Sequence, residues 1–154
     1  MIVAIRRASE SDIGPILQLL TQLDGPEGTP LTTEDGVQIL RRMASYPDYG
    51  VYVAEDADGR VIGTFALMVM DNLAHQGAPS AIVEDVCVDR DNRGNGVGRA
   101  MMSFAMRYAK DRGCYKLALS SNSARTGAHD FYRALGFSQH GISFCVDTRD
   151  AEES

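Results

Sequence analysis

Hydrophobic and polar positions in the first half of the chain repeat with two different periods, which predict its first elements. "MIVAIRRA" is typical of a strand, and apolar residues from Ile13 to Leu23 then recur at the spacing of one helix face. A second short helix is predicted over residues 34–44. "VYVAED" and "VIGTFALMVM" flank an Asp-Gly turn signal, which predicts a β-hairpin.

The second half of the chain alternates strand and helix patterns. "AIVEDVCVD" predicts a strand, and after a glycine-rich loop a helix is predicted over residues 96–112, with Gly113 as its C-terminal stop. "CYKLALS" predicts a further strand, "SARTGAHDFYRALGF" a helix closed by Gly136, and "SQHGISFCV" the last strand or two. The order β-α-α-β-β-β-α-β-α-β predicts an α/β protein with one mixed sheet, parallel at the crossover and antiparallel elsewhere.

Length, charge and cysteine spacing narrow the class of protein. With 154 residues we expect a single domain over residues 1–146 and a charged C-terminal tail over residues 147–154. A net charge of -6 argues against nucleic acid as the main partner, because counterion release needs clustered lysine and arginine. No apolar run spans a membrane and no signal-like segment begins the chain, which predicts a cytoplasmic protein. Cys87, Cys114 and Cys145 are widely spaced, which predicts reduced thiols and no metal site.

The loop "DRDNRGNGVGRAMM" carries the most specific chemistry. Gly94, Gly96 and Gly98 let backbone N–H groups converge on a ligand, and a helix with a partly positive N-terminus begins directly behind them. This arrangement is typical of a phosphate or pyrophosphate site with arginines alongside; the alternative is a tight turn and nothing more. The spacing fits neither a P-loop, which needs Lys-Ser or Lys-Thr, nor the dinucleotide-binding G-x-G-x-x-G.

Two motifs together resemble the GNAT superfamily of acetyl-CoA-dependent N-acetyltransferases. The first is R-x-x-G-x-G, read as Arg93, Gly96 and Gly98 between a strand and a helix. The second is "AHDFYRALGF", residues 128–137, which is similar to the superfamily's A-x-x-x-Y-x-x-x-G-F. They occur in the expected order, and the element order agrees over nearly the whole chain. The resemblance implies an acyl-CoA N-acyltransferase fold with a mixed sheet of about six or seven strands and about four helices.

The resemblance also implies which residues hold acetyl-CoA. The backbone of Val86, Cys87 and Val88 would hydrogen-bond the pantetheine arm. Asn122 or Arg125 would contact the cofactor from the end of the next strand; many members carry an asparagine where this chain has Arg125. The pyrophosphate would be wrapped by Arg93, Gly94, Asn95, Gly96, Val97, Gly98 and Arg99.

Acetyl transfer to an amine needs a base. An alkylammonium with a pKa near 10.4 is almost wholly protonated at pH 7, and reaching the free amine costs about 4.6 kcal/mol. Glu84 and Asp85 begin the strand beside the expected thioester, and strand alternation lets only one of them face the substrate. We favour Glu84, acting directly or through a water, because Val86 and Val88 would share its face. The alternative is that both acids attract the amine electrostatically.

Tyr132 matches the superfamily's general acid toward the departing CoA thiolate. Because the reference pKa of tyrosine, about 10, exceeds that of a thiol, about 8.5, a hydrogen bond to sulfur would be most of its contribution. The alternative is a core tyrosine. Cys87 would alternate away from Glu84 in a regular strand, so we expect direct transfer in a ternary complex and no covalent acetyl-enzyme.

These features predict an N-acetyltransferase that moves acetyl from acetyl-CoA to the primary amine of a small molecule. "VEDVCVD" with "GCYKLALS" resembles glucosamine-6-phosphate N-acetyltransferases, whereas "LSSNSARTGAHDFY" is similar to aminoalkylphosphonate and aminoglycoside-type enzymes, so the acceptor stays open. A protein-lysine or N-terminal acetyltransferase and a noncatalytic CoA-binding module are the alternatives. We expect no membrane partner, and the edge of the last predicted strand offers a route to a homodimer.

Overall fold

A computed structural model of the chain describes residues 3–24 and 31–150. The chain forms two compact units, Met1–Leu119 and Ser120–Ser154. Three predicted features fall partly outside the described residues: the start of the first strand, most of the loop between the first two helices, and the end of the charged tail.

The first unit holds one five-stranded sheet with strands in chain order. The strands are β1 (Ala4–Arg7), β2 (Tyr49–Glu55), β3 (Val61–Met70), β4 (Ser80–Val88) and β5 (Leu117–Leu119), and the helices are α1 (Ile13–Asp24), α2 (Thr33–Met43) and α3 (Val97–Asp111). The first four strands pair antiparallel, and β4 pairs with β5 in parallel across α3. The predicted mixed sheet and hairpin are confirmed, and the predicted helix bounds are correct to within one residue for α2 and α3.

The two faces of the sheet are covered by different helices. On one face the ring of Tyr52 lies 5.4 Å from that of Phe65 and 5.1 Å from that of Phe104 on α3. On this face β3 carries Gly63, where a Cβ would lie 2.7 Å from the sulfur of Met101, so glycine lets α3 approach the strand closely. On the other face α1 packs against β3 and β4. The core therefore lies on both sides of β3 and β4.

The junction of β1 with α1 is held by a buried carboxylate. Asp12 is 6% exposed and accepts hydrogen bonds from Arg6 Nη1 at 2.7 Å, from Arg6 Nη2 at 2.9 Å and from the backbone N–H of Ser9 at 2.7 Å. The hydrogen bonds from Arg6 are the main reason that the pKa of Asp12 is lowered to about 2. The pair fixes where the chain leaves the sheet to begin α1.

The second unit corrects the predicted strand count. It contains α4 (Thr126–Ala134), which ends before Gly136 as predicted, at a backbone φ of +96°. Residues 138–147, expected to supply the last strand or two, form no strand in the structure, so the sheet has five strands among residues 3–24 and 31–150 and not six or seven. Apolar alternation is present there, but a strand also needs a neighbouring edge to pair with, and a sequence pattern carries no information about that partner.

Candidate active site

The predicted catalytic strand β4 contains a β-bulge at its centre. Ala66 on β3 pairs with Glu84, but Thr64 pairs with Cys87, so two residues of β4 stand opposite Phe65 alone. One of them, Asp85, has a positive φ of 54°, which a non-glycine residue rarely adopts. Bulges of this kind re-aim side chains and end regular pairing.

The bulge reverses the expected facing of the site residues. Directly paired residues of an antiparallel ladder share a face, and Thr64 and Ala66 lie two positions apart on one face of β3. Glu84 and Cys87 therefore share a face, and the expectation that Cys87 alternates away from Glu84 was wrong. The expectation that Val88 shares the face of Glu84 was also wrong, because the extra residue of the bulge shifts the alternation by one. A uniform period of two could not reveal the inserted residue.

Although Cys87 lies on the face of Glu84, its thiol is enclosed. The residue is 3% exposed, and its sulfur donates a hydrogen bond to the backbone oxygen of Leu19 on α1 at 3.2 Å. The thiol is thus turned into the packing between β4 and α1 and is shielded from solvent.

Glu84 and Asp85 are exposed on β4. Within the part of the chain that the structure describes, neither carboxylate has an ion-pair or hydrogen-bond partner.

Tyr49, at the start of β2, is a residue that the sequence patterns did not single out. Burial raises its pKa, and the negative charges of Asp85 and Glu84 raise it further, which puts this ring within electrostatic reach of both acids.

The bulge also marks the point where β4 loses one of its two neighbours. The parallel ladder with β5 runs from Ala81 with Leu117 to Val83 with Leu119 and ends there. Residues 84–88 of β4 continue beyond it, paired among the described strands with β3 alone. This half of β4 presents an open strand edge, which is the backbone geometry that an extended amide-containing ligand can pair with.

The glycine loop leads directly into the N-terminus of α3. Gly94 and Gly96 have φ angles of +79° and +84°, and a Cβ built on either would meet nothing within 4 Å. The glycines therefore serve the left-handed backbone of the loop, which is also open to solvent. The first α-helical hydrogen bond runs from Ala100 N–H to the oxygen of Gly96, so the N–H groups of the three residues between them have no partner within the helix. This is the electropositive end that anions favour.

Arg93, the arginine of the R-x-x-G-x-G motif, lies back against the protein. Its Nε donates to the backbone oxygen of Val88 at 3.2 Å, and its Nη2 lies 3.5 Å from the side-chain oxygen of Gln22 on α1. Arg93 thereby ties the glycine loop to the end of β4 and leaves part of its guanidinium exposed.

In the second unit, Tyr132 lies half-buried on α4. Its ring packs edge-on against Phe131 at 5.2 Å and Phe137 at 5.7 Å between ring centroids. Burial raises the pKa of Tyr132, and the positive charge of Arg125 opposes that shift only in part. The hydroxyl therefore stays protonated and able to donate a hydrogen bond at neutral pH.

The residues before α4 form a turn that is held by hydrogen bonds to the oxygens of Asn122. The side-chain oxygen of Asn122 accepts from Ala124 N–H at 2.9 Å, and its backbone oxygen accepts from Arg125 N–H at 3.0 Å and bonds to His129 Nε2 at 2.9 Å. Ser121 Oγ is buried and has no hydrogen-bond partner among the described residues, a feature that no motif or periodicity singles out. Asn122 and Arg125 thus have distinct local roles: one shapes the turn, the other lies exposed at the start of α4.

The structure groups the predicted site residues by unit. The first unit brings together Glu84, the bulge, the open half of β4 and the glycine loop, and the second holds Asn122, Arg125 and Tyr132. Across residues 3–24 and 31–150, no three His, Cys, Asp or Glu side chains are placed to hold a metal ion. No helix within those residues is both long and apolar enough to cross a membrane.

Comparison with known proteins agrees with these features. The chain is 31% identical to glucosamine 6-phosphate N-acetyltransferase of Trypanosoma brucei brucei, over 93% of this chain and 94% of that protein. It is 27% identical to aminoglycoside N(6')-acetyltransferase type 1 of Stenotrophomonas maltophilia, over 88% of this chain and 86% of that protein. The crystal structure of glucosamine-6-phosphate N-acetyltransferase from Arabidopsis thaliana superposes with a TM-score of 0.82 at 27% identity, covering 96% of this chain and 99% of that one. The sequence profile of the acetyltransferase (GNAT) family matches residues 17–137. The resemblance is confirmed, and the chain belongs to the GNAT family of N-acetyltransferases.

Proposed function

We propose that the protein transfers acetyl from acetyl-CoA directly to the primary amine of a small molecule in a ternary complex. The observation that carries this proposal is the half of β4 from Glu84 to Val88. There, two acids without a cationic partner in the described structure stand on a strand whose outer edge is not paired with β5, and the strand leads into a glycine loop at the N-terminus of a helix, which suits an anion. An amine site, an amide-pairing edge and a phosphate site thus follow one another along fifteen residues, 84–98.

Acetyl-CoA has chemical groups that match each part of this stretch. The backbone of Val86, Cys87 and Val88 would pair with the amides of pantetheine, and the N–H groups of residues 94–99 would receive the pyrophosphate. Arg93 and Arg99 would add charge, and Arg125 suits a phosphate contact better than Asn122 because a guanidinium carries the positive charge that an amide lacks. Bound acetyl-CoA supplies the activated acetyl group.

Glu84 would remove the proton that keeps the amine from attacking, directly or through a water. The free amine nitrogen then bonds to the thioester carbonyl carbon. As the C–S bond of the tetrahedral intermediate breaks, the nitrogen gives up its second proton to the departing sulfur, directly or through a water, which leaves the neutral amide and the CoA thiol. Tyr132, whose burial keeps it protonated, would donate a hydrogen bond to that sulfur. The enclosure of Cys87 supports direct transfer, because an acetylated cysteine would need a thiol that the thioester can reach.

The first experiment is a thermal melt of the protein with acetyl-CoA, NAD and ATP in parallel. A ligand at a hundred times its Kd adds about 2.7 kcal/mol of stability, and we expect that gain with acetyl-CoA alone. Thiol release is then followed with glucosamine 6-phosphate, glucosamine, an aminoglycoside and a lysine peptide. Stabilisation by NAD or ATP in place of acetyl-CoA would contradict the proposal, and turnover with the peptide alone would favour a protein acetyltransferase. Acetyl-CoA binding without turnover on any amine would favour a noncatalytic CoA-binding module.

The role of Tyr132 is tested with Tyr132→Phe. Loss of the hydrogen bond to the departing sulfur should lower kcat about tenfold or more while the affinity for acetyl-CoA stays the same. Tyr115→Phe, which removes the hydroxyl of an exposed tyrosine in the other unit, is the matched control. An unchanged kcat in Tyr132→Phe removes this residue from the mechanism.

We also propose that the active form is a homodimer joined through the segment 140–147. Ile142, Phe144 and Val146 alternate along this segment and are 77%, 92% and 78% exposed, as the side chains of one strand face would be before pairing. Antiparallel pairing of two copies about Phe144 places each Ile142 opposite the partner's Val146 and brings no like charges together within residues 141–146. A second copy therefore completes the strand that the sequence pattern predicted.

Light scattering of the purified protein tests the dimer. The wild type should have twice the mass of one chain, and Phe144→Asp should shift it to a monomer. Leu73→Asp, at another fully exposed apolar position, is the control and should remain dimeric. A monomeric wild type contradicts the dimer proposal without affecting the assignment of acetyl transfer.

A further inference from the structure

Tyr49 shares a sheet face with Glu84 although the two residues are far apart in sequence. Tyr49 on β2 pairs with Met68 on β3, and Met68 pairs with Ile82 on β4. Ala66, two positions from Met68 along β3, pairs with Glu84. Paired residues share a face and alternate residues return to it, so Tyr49 and Glu84 project from the same side with one strand between them.

The spacing of strands leaves room for a small molecule between these two side chains. Two strand intervals of about 4.8 Å and an offset of two residues, about 7 Å, put their Cα atoms roughly 12 Å apart. Both side chains stand on the same face of the sheet, with the positions of Ala66 and Met68 on β3 between them. The influence of the charges of Asp85 and Glu84 on the pKa of Tyr49 agrees with this placement.

The surroundings of Tyr49 differ from those of a core tyrosine. Tyr52, three residues along β2, is 5% exposed and packs against Phe65, Phe104 and Tyr108. Within the described residues the ring of Tyr49 has one aromatic neighbour, Tyr46, which lies edge-on at 5.5 Å and is itself 55% exposed. Tyr49 is thus half-buried at the open rim of the sheet.

The backbone of Tyr49 is held in place independently of its side chain. Arg7 Nη2 donates to the backbone oxygen of Tyr49 at 3.1 Å, and the Arg7 guanidinium covers Gly50, where an added Cβ would lie 2.9 Å from its central carbon. The backbone at Tyr49 is therefore held by β1 and β2, and a substitution that alters only the side chain should leave the strand where it is.

We propose that Tyr49 contacts the acceptor amine and forms the wall of its site opposite Glu84 and Asp85. The inference rests on the proposed acetyl transfer and adds a residue and a ligand class to that site. Two carboxylates without cationic partners in the described structure, on the same sheet as a half-buried aromatic ring, favour an organic cation, because an aromatic face attracts positive charge as the acids do. The Tyr49 hydroxyl both donates and accepts hydrogen bonds, which suits a primary ammonium with a neighbouring hydroxyl group. Such an acceptor belongs to the amino alcohols and amino sugars.

Two variants separate the contributions of the hydroxyl and the ring. With glucosamine as acceptor, Tyr49→Phe should raise the KM for the amine about threefold to tenfold, and Tyr49→Leu should raise it further because the aromatic face is lost as well. The KM for acetyl-CoA and the Tm should not change in either variant. Tyr46→Phe is the matched control, since it removes a hydroxyl from the neighbouring exposed ring, and it should leave the amine KM as it is.

A second substrate series tests the ligand class. The increase in KM caused by Tyr49→Phe should be larger for glucosamine than for a simple alkylamine, which has no hydroxyl for Tyr49 to contact. An equal increase for both amines, or a parallel change in the KM for acetyl-CoA or in the Tm, would show that Tyr49 acts through the structure and would overturn the proposal.

Calorimetric titration of glucosamine into the protein with CoA present tests the Tyr49 contact separately from the proposed acetyl transfer, because it measures binding and not turnover. If the wild type releases no thiol with any amine, acetyl transfer fails, but weaker glucosamine binding by Tyr49→Leu than by the wild type would still support the contact. Equal affinity in the two proteins, or no glucosamine binding by the wild type, overturns it.

Discussion

Asp48 and the pair Glu84–Asp85 are acids associated with the same sheet, yet their surroundings are opposite. Asp48 accepts a hydrogen bond from Tyr108 Oη at 2.6 Å and another from Arg112 Nε at 2.7 Å, and the Arg112 guanidinium stacks 3.3 Å from the centre of the Tyr108 ring. The carboxylates of Glu84 and Asp85 have no such partners among the described residues. An acid satisfied within the protein holds elements together, whereas an acid left exposed on a bulge is available to a ligand.

The two ends of α3 differ in the same way, since one is bonded to side chains of the protein and the other is not. Its last turn is fixed to the residue before β2 through Tyr108 and Arg112, and burial together with the hydrogen bond to Asp48 raises the pKa of Tyr108. Its first turn begins at Gly96, without a side-chain cap. The helix is thus anchored by side chains at its C-terminus, whereas the N–H groups at its N-terminus have no side-chain cap.

The largest effect is expected from removing the unpartnered acid. Glu84→Gln should lower kcat about a hundredfold or more, because the amine then loses its proposed base, and should leave the Tm unchanged. Steady-state thiol release and a thermal melt measure the two quantities. Glu34→Gln, at an exposed position in the first turn of α2, is the control. A large loss of stability in Glu84→Gln would show that Glu84 has a structural role like that of Asp48, and would contradict the contrast between the two acids.

Removing the partnered acid should have the reverse outcome. Asp48→Asn weakens two hydrogen bonds and should cost about 2 kcal/mol of unfolding free energy, lowering the Tm by roughly 4–8 °C. Asp111→Asn, at an exposed acid of the same helix region, should change the Tm little. The amine KM of Asp48→Asn should equal that of the wild type at a temperature where both are folded, and a change in that KM would show that Asp48 also serves the site.

The pH dependence of stability should come from partnered acids such as Asp12. Arg6 lowers its pKa to about 2, below the usual 3.8, so the ionised form stabilises the folded state. That contribution, about 2 kcal/mol, is fully present above pH 4 and is lost as the pH falls toward 2. Urea unfolding at pH 7, 5, 4 and 3 should show the loss in the wild type. In Asp12→Asn the slope between pH 4 and 3 should be smaller, and an unchanged slope would assign the acid sensitivity to other groups.

The smallest effect is expected at the bulge residue itself. Asp85→Gly should keep or slightly raise the free energy of unfolding, because glycine adopts a positive φ freely. Asp85→Val should lower the free energy of unfolding by about 1–2 kcal/mol. Chemical denaturation of the two variants measures the difference. Equal stability of the glycine and valine variants would mean that the left-handed conformation is not maintained in solution.

Local patterns predicted the elements that depend on local chemistry. The hairpin of β2 and β3, the bounds of α3 and the glycine loop before it, and the stop of α4 at Gly136 all follow from short-range periodicity and from the backbone freedom of glycine. The two family motifs lie within such segments, which is why short stretches of sequence sufficed to predict the acetyltransferase family. Glu84 is an exposed acid of β4 and its role as the base stays a prediction, but the reason offered for its facing was wrong.

The sequence by itself determined the mixed α/β architecture, the family and the position of the glycine loop before α3, because each depends on residues adjacent along the chain. Only the tertiary structure decided the bulge that turns Cys87 to the face of Glu84, the early end of the β4–β5 ladder, and the placement of Tyr49 two strands from the acids. These features depend on register between strands that are distant in sequence. Register is settled by the packing of whole faces, and one inserted residue changes it without altering the local pattern.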